Sequence, residues 1–156
     1  MLSRFRFSTR WHFAAAPAEV WAALADLAAW PQWWPGIAVS QPLAAGDARG
    51  LGRTAALTVR TPLGADLRFE LTASAVRAPE AAVLRAVGDL SGTARVRLRA
   101  VPATASGSVC ATRVDLRWDV ESDRVLLALA RPAARLSHGR VMAAGQRGLA
   151  GLLSAR

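Results

Sequence analysis

The sequence has no lysine, no tyrosine, one cysteine and two histidines among its 156 residues. A single thiol, Cys110, excludes an intrachain disulfide and a cysteine-built metal cluster. No H-x-x-x-H spacing or Cys/His set is present to ligate a metal, and no cofactor is implied. No run of about 20 uncharged apolar residues occurs, so no membrane-spanning helix is expected. The most apolar run, Val125 to Ala130, stops at Arg131-Pro132. Met1 to Phe7 lacks an apolar stretch long enough for a signal peptide, which makes a cytoplasmic location the expectation. The segment Gly46 to Gly52 contains G-x-G but no third glycine and no following helix, which excludes a dinucleotide-binding fingerprint. Repeats, linkers and low-complexity segments are missing too, so residues 1–156 read as one domain with a real core.

Charge of one sign is in excess. All twenty basic residues are arginine, against eleven acidic ones, for a net charge of +9. Such a balance fits a nucleic-acid or anionic-membrane binder. The arginines are spread along the chain rather than gathered in a basic arm, which fits a solvated, arginine-biased surface better. No nucleic-acid partner is therefore expected.

Alternation dominates what is present. Phe5, Phe7, Thr9, Trp11 and Phe13 share one face of a strand, with His12 among the arginines on the other. Pro17 occupies the first position of a short helix carrying Val20, Leu24 and Leu27. Trp30-Pro31-Gln32-Trp33-Trp34-Pro35 reads as a second short helix bounded by its prolines, its tryptophans a packing plug against the last helix or the rim of a pocket. Six more strands follow: Gly36 to Leu43, Thr54 to Arg60, Leu67 to Ala73, Ala81 to Val87, Ala94 to Ala100 and Cys110 to Asp119. Arg95, Arg97 and Arg99 form a stripe that Asp115 and Asp119 would partly neutralise if the last two strands pair. Cys110 falls on the apolar face and reads as a buried, unreactive thiol. The last stretch, Asp123 to Ser154, is helical, with Leu127, Ala130, Ala134, His138, Met142, Gly145, Leu149 and Leu152 on one face. Pro132 should kink it. Gly145, Gly148 and Gly151 call for close packing, since each costs up to about 1 kcal/mol in a helix interior.

The sequence resembles the START/pollen-allergen-like (SRPBCC) superfamily. The motifs that carry the resemblance are Pro17-Ala18-Glu19-Val20-Trp21, the Trp30 to Gly36 stretch, Gly46-Asp47 with Gly50-Leu51-Gly52, Gly88-Asp89-Leu90-Ser91-Gly92 and His138-Gly139-Arg140-Val141-Met142. They resemble the polyketide cyclase/dehydrase branch in particular. The resemblance implies an α+β helix-grip fold. A curved antiparallel sheet of about seven strands wraps a long C-terminal helix, with two short helices after the first strand. It also implies a small apolar ligand held between sheet and helix, in some members with cyclase or dehydratase chemistry. A shared fold does not transfer that chemistry.

The residues supply the candidate site. The inward sheet positions are Leu57, Val59, Leu67, Phe69, Val96, Leu98, Val114, Leu116 and Trp118. Facing them on the helix stand Leu126, Leu129, Ala130, Ala133, Ala134 and Ser137. Alanines opposite a concave sheet leave space that larger side chains would fill. Ser137, Thr112 and Trp118 are the polar groups expected to face that space. His138, the one histidine on an apolar face, reads first as a core histidine bonded to a backbone carbonyl or a helix; otherwise it is the candidate catalytic acid or base, with a pKa near the working pH, or an orienting contact. No carboxylate accompanies it, so a nucleophile–base–orienter set is not expected. The readings are therefore a binding module for a polyketide-, aromatic- or lipid-like molecule, a cyclase or dehydratase using His138, and, more weakly, an arginine-rich nucleic-acid binder. Oligomeric state is left open.

Overall fold

The computed structural model describes residues 2–102, 110–124 and 131–156. β1 (Ser3–Phe13) leads into α1 (Pro17–Ala25), a 3-10 turn (Leu27–Ala29) and α2 (Trp30–Trp33). Six strands follow: β2 (Ile37–Ala44), β3 (Thr54–Arg60), β4 (Asp66–Arg77), β5 (Ala81–Gly88), β6 (Ser91–Pro102) and β7 (Cys110–Ser122). The last described element is α3 (Arg131–Ser154). The seven strands form one antiparallel sheet in the order β1-β7-β6-β5-β4-β3-β2. Consecutive strands from β2 to β7 pair as hairpins, while β1 joins the far edge beside β7. The chain between β1 and β2 must therefore cross the sheet, and α1 and α2 are that crossing.

Local chemistry explains the elements. Alternation marks β1, β4, β6 and β7, while turn residues bound β2, β3 and β5; the ladders extend several of them, β7 as far as Ser122. Pro17 starts α1, where the Glu19 carboxylate accepts the Ala16 amide at 3.1 Å. The β5–β6 hairpin turns on Gly88 and Gly92, both at positive φ (141° and 149°). A Cβ on Gly88 would lie 2.8 Å from the Phe69 Cα, and one on Gly92 would lie 2.9 Å from the Val120 Cα. Only glycine lets this turn lie so close to β4 and β7.

The core lies between the sheet's inner face and the helices. Trp11, Val20, Leu57, Leu71, Val114 and Leu149 are essentially inaccessible there. Trp30, Trp33 and Trp34 are all buried, so the tryptophan motif is a plug against α3. Two of the three are pinned: the Trp30 Nε1 donates to the Leu24 carbonyl (3.1 Å) and the Trp34 Nε1 to the Val141 carbonyl (2.8 Å). The close packing asked of the α3 glycines occurs at two of them. A Cβ on Gly145 would meet the Trp34 indole at 2.5 Å, and one on Gly148 would overlap the Trp33 carbonyl oxygen. Gly151 has open space instead.

Four further expectations need correction or limit. Asp123 and Arg124 are not helical, so the last helix does not begin at 123. Pro132 is the second residue of the described helix, and residues 125–130, on which the kink depends, lie outside the described residues. Cys110 is exposed, because it pairs with Pro102 at the very end of the β6–β7 ladder. The stripe is not neutralised as expected either. Asp115 binds Arg10 (2.9 Å) and Arg113 (3.1 Å), and Asp119 binds Arg4 (2.9 Å) and approaches Arg6 (3.6 Å). The arginines of β1, on the other flank of β7, take both carboxylates. Among the described residues, Arg95, Arg97 and Arg99 form no ion pair.

Candidate functional site

An apolar cavity of about 100 Å³ lies between the sheet and α3. Five of the nine inward sheet candidates line it: Leu57, Val59, Leu67, Phe69 and Trp118. From α3 come Ala134, Ser137 and His138, one helical turn apart, with Val141 and Met142 below them. Leu136, which could have filled this space, points away and is 60% exposed.

The remaining candidates sit elsewhere. Val96 and Leu116 line a second cavity of about 80 Å³. Leu98 and Val114 face each other across the β6–β7 ladder; both are buried and line neither of these cavities. Ala133 is half-buried and lines neither cavity. Leu126, Leu129 and Ala130 lie outside the described residues. Thr112 is fully buried, but its hydroxyl donates to the Ala15 carbonyl (2.7 Å) and holds the β1–α1 connection; it does not line the first cavity.

Sequence reasoning missed other walls of the first cavity. Phe5 and Phe7 enter from β1, Ile37 from β2, Leu90 from the β5–β6 turn and Val120 from β7; Trp30 and Trp34, read as a plug or a pocket rim, are both buried plug and cavity wall. Alternation had put Phe5 and Phe7 inward, but only the β1–β7 pairing carries them beside Trp118: Phe7 is its register partner. Leu90 was detectable as an apolar residue inside a glycine-bounded turn.

The polar content of the site is small. Four buried side-chain nitrogens among the described residues have no hydrogen-bond partner, and two belong to residues of this cavity: the Trp118 Nε1 and the His138 Nε2. The imidazole stacks on Phe7, with ring centroids 4.0 Å apart and planes 12° from parallel. Burial among apolar groups disfavours its charged form and pushes its pKa down from 6.5 to about 4. The expected value near working pH is thereby corrected: His138 is a neutral imidazole at pH 7. It can donate or accept one hydrogen bond, but it is a weak base. Among the described residues no three His, Cys, Asp or Glu side chains gather as a metal site. No helix among them is long and apolar enough to cross a membrane.

A curved seven-stranded antiparallel sheet closed by a long C-terminal helix, with an apolar cavity between them, defines the helix-grip class of START-like proteins. Residues 4–154 match the family described as "Polyketide cyclase / dehydrase and lipid transport", and the chain belongs to that family. Solved structures share the fold. A START superfamily protein from Mycobacterium smegmatis is 21% identical, with a TM-score of 0.71 over 96% of this chain and 97% of that one. The Zhui aromatase/cyclase from a Streptomyces species is 15% identical, with a TM-score of 0.67 over 100% and 96%. Norcoclaurine synthase from Thalictrum flavum, solved with dopamine and hydroxybenzaldehyde, is 12% identical, with a TM-score of 0.60 over 99% and 89%. No curated protein matches the chain.

Proposed function

We propose that this protein binds a small, mostly apolar molecule in the first cavity, with the Trp118 N–H and the His138 Nε2 orienting one polar group of that molecule. The observation that carries the reading is an apolar cavity whose wall residues include two buried, unpartnered polar atoms. Buried polar groups are normally satisfied, and an apolar pocket with few polar groups is the usual form of a small-molecule site. A ketone or phenol suits the pair, because the indole donates and a neutral imidazole does either. At about 100 Å³ the space is smaller than the cavity of about 150 Å³ known to accept benzene, so the enclosed part of the ligand is at most one small ring. Titration with an apolar fluorescent probe tests this. Ala134→Trp, which fills the wall from α3, should abolish saturable binding. Equal binding by wild type and variant places the ligand elsewhere.

Cyclase or dehydratase chemistry is the second reading, favoured by the family and by His138 at the cavity wall. In that case the neutral imidazole takes a proton from carbon or oxygen of the bound substrate. Its lowered pKa makes it a poor base, which ranks binding ahead of turnover. His138→Gln separates the two: loss of turnover with binding retained supports catalysis.

A further inference from the structure

The second cavity lies behind the same three tryptophans. Trp30, Trp34 and Trp118 line both spaces and form the wall between them. The indole nitrogens of Trp30 and Trp34 are tied to backbone carbonyls, whereas that of Trp118 is tied to nothing. Trp118 also has a small neighbour on one side: its register partner on β6 is Ala94, which lines the second cavity. Of the three rings, Trp118 is thus the one whose indole nitrogen holds no hydrogen bond; it stands edge-on to Phe69, ring centroids 6.3 Å apart, and on the β6 side the alanine leaves room for a second rotamer.

The second cavity has a charged end that the first lacks. Arg49 and Arg53 line it and do not line the first. Arg53 is half-buried and held in place, donating from Nη1 to the Ala25 carbonyl (2.8 Å) and from Nε to the Ala45 carbonyl (3.2 Å). Neither arginine forms an ion pair among the described residues. The nearest carboxylate in sequence, Asp47, accepts the amides of Arg49 and Leu51 (2.9 Å each). Two guanidinium groups, one of them fixed, therefore stand at the end of an apolar chamber with donors to spare.

We infer that Trp118 is a movable partition between two chambers, and that its turning opens one elongated site for an apolar molecule with a carboxylate, or like anion, read by Arg49 and Arg53. The inference rests on the reading of the first cavity as a ligand site and extends it to the class of ligand. Each chamber has the volume of about one small ring, so a longer molecule held wholly inside the protein has to extend past the partition.

Calorimetric titration with three probes tests it: 4-cresol for the first cavity, decanoate for the joined site, and decanol as its uncharged match. Wild type should bind decanoate about ten-fold tighter than decanol, the scale of one charge-assisted hydrogen bond. Ala94→Leu, which obstructs the second chamber beside Trp118, should weaken decanoate about ten-fold and leave 4-cresol unchanged. Arg49→Gln, at an exposed position that does not threaten the fold, should shrink the preference for decanoate over decanol. Equal affinity for decanoate and decanol, no binding of decanoate, or an Ala94→Leu variant that binds decanoate as wild type does overturns the partition while 4-cresol binding keeps the first-cavity reading. If 4-cresol does not bind the wild type, both fall.

Discussion

His138 on α3 and Phe7 on β1 lie face to face, their rings 4.0 Å apart. The contact joins the sheet's edge strand to the last helix at the wall of the cavity. It also buries a titratable group with no hydrogen-bond partner for its Nε2, and a pH dependence follows. The folded-state pKa, about 4, lies below the unfolded value of 6.5. The unfolded chain therefore binds the proton more readily. Stability contributed by the neutral ring is complete above about pH 6.5 and is lost as pH falls towards 4. The loss should reach on the order of 3 kcal/mol, at 1.36 kcal/mol per pH unit. Asp115 and Asp119, whose pKa values are lowered from 3.8, act only below that window. Urea unfolding at pH 7.5, 5.5 and 4.5 measures it. His138→Leu should flatten the slope between pH 6.5 and 4, and an unchanged slope would assign it to another group.

The α3 glycines offer an internal contrast. Gly148→Ala drives a methyl group into the Trp33 carbonyl, and Gly145→Ala drives one into the Trp34 indole. Each should cost about 1–3 kcal/mol, the range for overpacking. Gly151→Ala meets nothing and should be neutral, or stabilising by up to about 1 kcal/mol through helix propensity. Thermal melts of the three variants decide the matter, and equal behaviour would mean that the plug does not press on α3.

Thr112→Val keeps the shape of a fully buried side chain but deprives the Ala15 carbonyl of its donor. A loss of about 1–3 kcal/mol is expected from the stranded acceptor. Thr112→Ser should recover most of it. If valine is tolerated as well as serine, the hydroxyl does not anchor the β1–α1 connection.

Trp34→Phe removes one hydrogen bond, to Val141, and part of a ring that touches Trp11, Trp30 and Trp33. Trp34→Ala removes the whole ring and should cost about 3–5 kcal/mol. Denaturant midpoints of the two variants would show a graded loss. No loss from either would mean that the indole is not packed by its neighbours.

Sequence alone reached far into the fold, because a sheet with one wet face writes its register as alternation. Phe5 and Arg6, or Leu67 and Arg68, declare their sides without help. The helical face was as plain, from Ala134 through Met142 to Leu149. What alternation cannot say is which inward residues meet a void and which meet a helix. Leu98 and Leu67 are equivalent in pattern, yet one is buried away from the cavity and the other lines it. That difference arises from sheet curvature and from where the β1–β2 crossing lands. Cys110 misled for a related reason: it obeys the inward parity of β7 but stands past the end of what covers it. The arginine stripe misled because the carboxylates of β7 have two flanks, and β1 takes them.

β1 is the first of the seven strands to be made, and its partner, β7, is the last. The Arg4–Asp119 bond joins residues 115 apart in sequence. At a synthesis rate of about 5–20 residues per second, an edge strand bearing Phe5, Phe7, Trp11 and Phe13 waits many seconds for its neighbour. Throughout that wait both sides of its backbone are open to other strands. Arg4, Arg6 and Arg10 on its outward face, with their mutual repulsion and strong hydration, then act as guards against wrong pairing before any of them meets Asp115 or Asp119.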